Sequence, residues 1–276
     1  MRSPGVNAGR MNTASHPVGD QLRQWRQRRR LSQLGLASKA EISQRHLSFL
    51  ESGRSIPSRE MVLRLADHLD VPLRERNALL LAAGYAPAYP VRAMDDPALA
   101  EAREAVALIL KAHEPYPALA VDRHWTMVAS NSAVSHLLAD ANPRLLAPPV
   151  NVLRISLHPD GLASRIGNYR QWRQHVFHRL QSQIDQTGDA TLKALLDELK
   201  SYPTPAGAKP FRGGRPEYGG IVVPLQFTTG HGTLSFISTT TVFGTPLDIA
   251  LSELAIESFF PMDEQTGAAM RRLAEG

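Results

Sequence analysis

LSQLGLASKAEISQRHLSFLESGR, residues 31–54, decides the first part of the fold. Ser32 and Ser43 each stand where a helix needs a side-chain cap, and each follows an apolar residue able to meet another at the fourth helical position. Leu31 pairs in this way with Leu36, and Ile42 with Leu47, giving two hydrophobic staples. The pattern predicts helices over 33–39 and 44–52, the second stopped by Gly53. Residues 40–43 alone join them, too few for antiparallel packing, so the helices must cross steeply as a helix-turn-helix.

Working outward, Val18, Leu22 and Trp25 recur at i, i+4 and i+7 and predict an upstream helix, with Arg23, Arg26, Arg28, Arg29 and Arg30 on its remaining faces. Downstream, Ser58 follows Pro57 and caps a fourth helix carrying Met61, Leu65 and Leu69. A fifth follows Pro72 and ends at Gly84. The expectation is an all-α five-helix domain over 18–84. Residues 1–93 hold 15 Lys+Arg against 7 Asp+Glu, whereas the remainder holds 16 against 19. A basic head beside a mildly acidic body points to a polyanion partner, because Lys and Arg contacts to phosphates release counterions.

Residues 1–17 are rich in Ser, Asn, Gly and Pro and read as a disordered arm, whose Arg2 and Arg10 could reach along nucleic acid; no signal peptide or membrane span is expected there. The chain has no cysteine, which removes disulfides and thiolate chemistry and fits a reducing, cytoplasmic setting. With 276 residues, two domains are expected.

Pro87, Pro90 and Pro97 mark residues 85–97 as a linker, and a second domain is expected over 98–276. It opens with a helix over 100–111. Short strands over 118–121 and 125–130 then form a hairpin around Asp122-Arg123-His124. Ile166, Tyr169, Trp172, Val176 and Leu180 give 162–186 one apolar side, and 192–199 continues the helical layer. After a Pro/Gly-rich loop over 203–216, strands over 220–229 and 233–243 face each other across Gly230-His231-Gly232. Residues 246–260 fit either a helix, through Leu247, Leu251 and Leu254, or a bulged strand, through Ile249, Leu251 and Ile256. The sum is an α+β domain, an antiparallel sheet covered by helices on one face, of a kind that encloses a cavity.

The run Leu31-Ser32-Gln33, Ala37, Ile42-Ser43, Leu47-Ser48, Leu50-Glu51 and Gly53-Arg54, followed by Pro57, resembles the Xre/Cro-type helix-turn-helix regulators. The resemblance implies that Gln33 grips a phosphate, that Gln44, Arg45, His46, Ser48 and Phe49 face base edges, and that Arg54 joins the DNA contacts. The chemistry agrees for Gln44, an amide suited to adenine, and for Arg45, a guanidinium suited to guanine. Phe49 is left between a thymine methyl and the core. Arg26 and Glu51 match a structural ion pair of that family. Two positions depart from the pattern: Glu41 stands where glycine is usual in the turn, and Gly35 costs the second helix about 1 kcal/mol of propensity.

Residues 57–85, with Glu114-Pro115-Tyr116-Pro117, Val121-Asp122, Asn131, His158-Pro159-Asp160-Gly161 and Phe259-Phe260-Pro261, resemble the MmyB-like regulators. That resemblance implies a PAS-like ligand-binding domain with a buried small-molecule effector, an apolar or fatty-acyl-like compound with a polar head, and it favours a strand within 246–260. Arg173, His175 and Arg179 are the cations placed to meet a carboxylate, against a solvated face as the plain alternative. Trp172, Phe227 and Phe236 are pocket lining or simple core. Asn131 is a ligand contact or a cap for the helix at Ser132.

No nucleophile elbow, His-Glu-x-x-His, phosphate loop or dinucleotide glycine motif is present, so an enzyme is not expected. His175 and His178 lack a third ligand, and no metal or cofactor is expected beyond a bound fatty acid or similar molecule. The reading is a transcription regulator with an operator in double-stranded DNA and a small-molecule effector. One short recognition helix predicts a homodimer reading two half-sites. A protein-interaction module remains the alternative for the second domain.

Overall fold

A computed structural model describes residues 18–211, 223–230, 232–244 and 248–275. The arm over 1–17, His231, Gly220-Ile221 and Pro246-Leu247 lie outside the described residues. The chain divides into two compact units that part between Tyr89 and Pro90.

The first unit is built from α1 (Val18–Arg28), α2 (Gln33–Lys39), α3 (Gln44–Glu51), α4 (Arg59–His68) and α5 (Leu73–Ala82). The Oγ atoms of Ser32, Ser43 and Ser58 accept hydrogen bonds from the amides of Gly35, His46 and Met61 at 2.9, 3.1 and 3.2 Å. All three cap serines read from the sequence of this unit thus satisfy otherwise orphaned N–H groups. Leu22, Leu36, Leu47, Leu50, Leu65 and Leu79 are fully buried in one core. Gly19 brings α1 onto the end of α3, since a Cβ there would lie 2.3 Å from the Leu50 carbonyl oxygen.

The helix ends share one device. After each of the five helices a residue with positive φ closes a Schellman cap, and at three of them it is not glycine: Arg30 (φ 53°), Glu41 (φ 54°) and Asp70 (φ 45°). At the central turn the Ile42 amide donates to the Ala37 carbonyl at 3.0 Å, and the Glu41 amide to that of Ser38 at 3.3 Å. Glu41 therefore keeps the left-handed turn that glycine would adopt with less strain, rather than changing the turn. The following residue packs back on the core each time: Leu31, Ile42 and Val71.

Residues 85–97 are not a spacer. Asn77, 6% exposed, accepts from the amides of Ala88 and Tyr89 at 2.9 and 3.1 Å and donates to the Tyr89 carbonyl at 2.7 Å. Tyr85 donates its hydroxyl proton to the Pro57 carbonyl. Residues 85–89 therefore belong to the first unit. Pro90 accepts from the Ile249 amide at 3.2 Å and Arg92 pairs with Asp248 at 2.9 Å, so the second unit begins before Ala98. Proline content marked the chain as irregular, but a buried amide and an ion pair hold it down.

The second unit is PAS-like: a five-stranded antiparallel sheet in the order β2-β1-β5-β4-β3. The strands are β1 (Ala118–Val121), β2 (Met127–Ser130), β3 (Leu225–Thr229), β4 (Gly232–Val242) and β5 (Ala255–Pro261). Helix α6 (Ala100–Ala112) precedes them. Helices α7 (Ser132–Leu138), α8 (Val152–Leu157), α9 (Tyr169–Thr187) and α10 (Ala190–Ser201) lie between β2 and β3 in sequence. One turn, α11 (Ile249–Ser252), leads into β5, and α12 (Glu264–Glu275) follows it.

Strand alternation explains the layering. Ala118 and Ala120 pack with Val106 and Leu110 of α6, while Leu119 and Val121 enter the main core with α7 to α10 and α12. Both faces are therefore covered, not one. The ambiguous segment resolves as a helical turn and then a strand. The long amphipathic stretch is helical only from Tyr169, because Ile166 bridges to Phe227 and the Gly167 amide donates to the Gln226 carbonyl.

Candidate functional sites

In the first unit, Gln44 and Arg45 are exposed on the first turn of α3, where the Ser43 cap sets the helix start; His46, Ser48 and Phe49 are half-buried. The guanidiniums of Arg45 and Arg54 lie 5.3 and 5.9 Å from the Phe49 ring centre. Phe49 does not belong to the core cluster, which settles its position in favour of the surface. A half-buried ring between two cations presents an apolar face bordered by positive charge, the composition that meets phosphates and thymine methyls.

Glu51 lies beneath this surface. Its side chain is fully buried and accepts from Arg26 Nε and Nη2 at 2.6 and 2.8 Å. Gln33 Nε2 donates to the same carboxylate at 2.9 Å, and Arg23 approaches to 3.6 Å. Burial alone would raise the Glu51 pKa, but the bonds from Arg26 and Gln33 and the charges of Arg26 and Arg23 outweigh it and hold the carboxyl below its usual range. Gln33, expected to grip a phosphate, has one amide proton engaged inward. Its remaining polar positions are oriented by Glu51.

In the second unit, a cavity of about 100 Å³ lies between the sheet and the helices. Leu119 of β1, Leu137 of α7, Leu153 of α8, and Trp172 and Val176 of α9 form apolar walls. Trp125, at φ 66° beyond β1, adds an indole whose Nε1 donates to Gln183 at 2.8 Å. One end is polar. Arg179 Nη1 and Nη2 donate to Glu257 Oε2 and Oε1 at 3.1 and 2.8 Å. Thr240 Oγ1 donates to Glu257 Oε1 at 2.6 Å and accepts from Arg179 Nη2 at 2.8 Å. The Arg179 guanidinium also lies 4.7 Å from the Trp125 ring centre.

Of the ligand candidates, Trp172 and Arg179 line this cavity and the others do not. Arg173 is held by the carbonyls of Lys200 and Tyr202 and by Thr204, where it fastens α9 to the end of α10. His175 packs on Trp172 at 5.4 Å, and burial, then the positive charge of Arg179, holds its pKa below the ordinary imidazole range, so it supplies no cation near neutral pH. Phe227 is core beneath Arg165, and Phe236 is core against Phe259. Asn131, 7% exposed, spends its side chain on structure: Oδ1 accepts from the Ala118 amide, and Nδ2 donates to the Leu110 and Tyr116 carbonyls. It neither reaches the cavity nor caps α7 with its side chain.

Sequence reasoning missed Glu257 and Trp125. Glu257 is the lone acid of an apolar central strand and faces the same side as Leu119, its partner on β1. An inward carboxylate there demands a cation, which was the available signal. No group of three metal-binding side chains occurs among the described residues.

A five-helix head whose third helix turns Gln44 and Arg45 outward, followed by a sheet unit with an apolar cavity, has the composition of a ligand-sensing regulator with a DNA-binding head. The chain belongs to the family of the MmyB-like transcription regulator ligand binding domain, which matches residues 102–273, and residues 17–79 match a helix-turn-helix domain. A solved structure described as an RNA-binding light-oxygen-voltage receptor aligns with 94% of this chain and 63% of its own, at 11% identity. Its TM-score of 0.24 is too low to carry a structural conclusion. No curated protein matches the chain.

Proposed function

We propose that this protein is a sequence-specific double-stranded-DNA-binding transcription regulator of the cytoplasm, acting as a homodimer, whose second unit binds a small apolar effector. The outward face of α3 supports the DNA reading. Gln44 and Arg45 are exposed at its first turn, and the Arg45-Phe49-Arg54 cluster follows one turn on. Effector sensing is supported by the cavity, whose walls are apolar apart from one charged pair and Ser156. At about 100 Å³ it is of the same order as the ~150 Å³ that accommodates a benzene, so a ligand of a few heavy atoms is the right scale and a long acyl chain requires the walls to part. No residue is assigned a catalytic role.

Occupancy acts by differential affinity: an effector that binds one arrangement of the sheet domain better shifts the protein toward it and changes operator affinity. The test is selection of operator fragments by the full chain, followed by binding titrations on the selected and a scrambled duplex. Equal affinity for both duplexes contradicts sequence-specific recognition. Sedimentation of the protein free and on the operator tests the dimer, and a monomer in both states contradicts it.

A further inference from the structure

We propose that the cavity selects an uncharged effector carrying a hydrogen-bond donor, a hydroxyl or an amide N–H directed at Glu257, and rejects free carboxylates. The inference rests on the cavity being the effector site and specifies its chemistry.

The apolar walls end on one charged pair, and that pair is already neutral. Arg179 is the lone cation lining the cavity among the described residues, and both its terminal nitrogens are directed at Glu257, whose side chain is 5% exposed. A carboxylate brought to Arg179 finds both its terminal nitrogens already bonded to the Glu257 carboxylate, beside which it would have to sit. Displacing Glu257 would leave it buried without its partner, and holding two carboxylates on one guanidinium adds like-charge repulsion. His175 cannot relieve this, because it packs on Trp172 and does not line the cavity.

The pair does offer a place for a donor. A carboxylate has about four acceptor positions. Arg179 Nη1, Arg179 Nη2 and Thr240 Oγ1 occupy three on Glu257. Among the described residues no donor takes the fourth, which is left to a hydroxyl or amide proton delivered along the apolar walls. Such a bond to a charged acceptor is stronger than a neutral one, so a single donor suffices to orient a small ligand. Ser156, the other polar side chain named in the lining, accepts at Oγ from Trp172 Nε1 at 2.9 Å.

Butan-1-ol and butyrate are matched probes for this choice. The full chain, labelled with nitrogen-15 at its three tryptophans, is titrated with each at pH 7 while the indole N–H resonances are followed. Trp125 and Trp172 line the cavity, and Trp25, in the first unit, serves as the internal control. Butan-1-ol is expected to move the Trp125 and Trp172 signals saturably, with butyrate binding at least about tenfold more weakly. Butyrate binding as tightly as butan-1-ol, or tighter, overturns the selection while leaving the cavity as the site. If neither probe moves the two signals, the cavity reading falls and the selection with it. Glu257→Gln removes the negative charge but keeps the side chain's length, so butyrate should gain roughly tenfold in that variant. Unchanged butyrate affinity in folded Glu257→Gln overturns the proposal, and if that variant does not fold the two probes decide on the unaltered chain.

Discussion

Arg26 and Glu51, 25 residues apart, form a two-pronged ion pair that fastens α1 to the recognition helix, with Arg26 Nε 2.6 Å from Glu51 Oε1 and Nη2 2.8 Å from Oε2. The Glu51 side chain is fully buried and that of Arg26 is 11% exposed, so neither charge can turn to solvent when the other is removed. Glu51→Ala should cost about 3–5 kcal/mol. Urea unfolding of the head, followed through Trp25, measures it.

The same carboxyl sets an acid limit. Its pKa is lowered on folding, so its contribution is complete above the unfolded value of 4.5 and is lost as pH falls through the folded value. The head should therefore lose stability below that pH, and Glu51→Gln should flatten this part of the profile in denaturant midpoints recorded against pH.

Glu41 holds a left-handed backbone that an L side chain resists. Glu41→Gly should relieve this strain and stabilise the head by about 1 kcal/mol, less the entropy that glycine adds to the unfolded chain. It also removes a negative charge from the turn before α3, so affinity for any duplex should rise at low salt. Thermal unfolding and a salt series of DNA titrations check the two effects separately.

Arg45→Ala should weaken operator binding by about 1–3 kcal/mol and random-duplex binding by less, as expected of a base contact. Fluorescence anisotropy on both duplexes measures the difference. An equal loss on each would assign Arg45 to phosphate.

Asn131→Ala would strand the Ala118 amide and the carbonyls of Leu110 and Tyr116, all bonded to the present side chain. With each buried orphan costing about 1–3 kcal/mol, a loss of about 3 kcal/mol or more in the second unit is expected. Protein that remains folded should keep its affinity for butan-1-ol, since Asn131 lies outside the cavity.

Val176→Phe places a ring into the space beside Trp172 and Arg179. It should abolish the indole shifts caused by butan-1-ol while leaving operator affinity in the absence of effector within about twofold, because Val176 belongs to the second unit and the recognition helix to the first. Nuclear magnetic resonance and anisotropy give the two readouts.

The head was legible because its signals are local. A cap and its N–H lie three residues apart and a staple five, so Ser32, Ser43, Leu31 and Ile42 carry the information within one turn. Helix ends without glycine were harder to read: a Schellman cap is a backbone arrangement, and Arg30, Glu41 and Asp70 carry no sign of it in their side chains. The apparent linker misled for a related reason. Proline content reports irregular backbone, whereas Asn77 and the Arg92–Asp248 pair, which hold that backbone down, are far apart in sequence or ordinary in type.

The amino-acid sequence by itself determined the basic head, the helix-turn-helix, its outward-facing Gln44 and Arg45, and the change to strand periodicity in the second unit. Each follows from patterns of two to four residues that local backbone geometry enforces. Tertiary structure alone decided that Arg179, rather than Arg173 or His175, stands at the cavity, and that Glu257 neutralises it. Those two residues are 78 positions apart. Which of three neighbouring basic residues on one helix meets a buried acid depends on helix rotation against the sheet, a consequence of how the whole core packs.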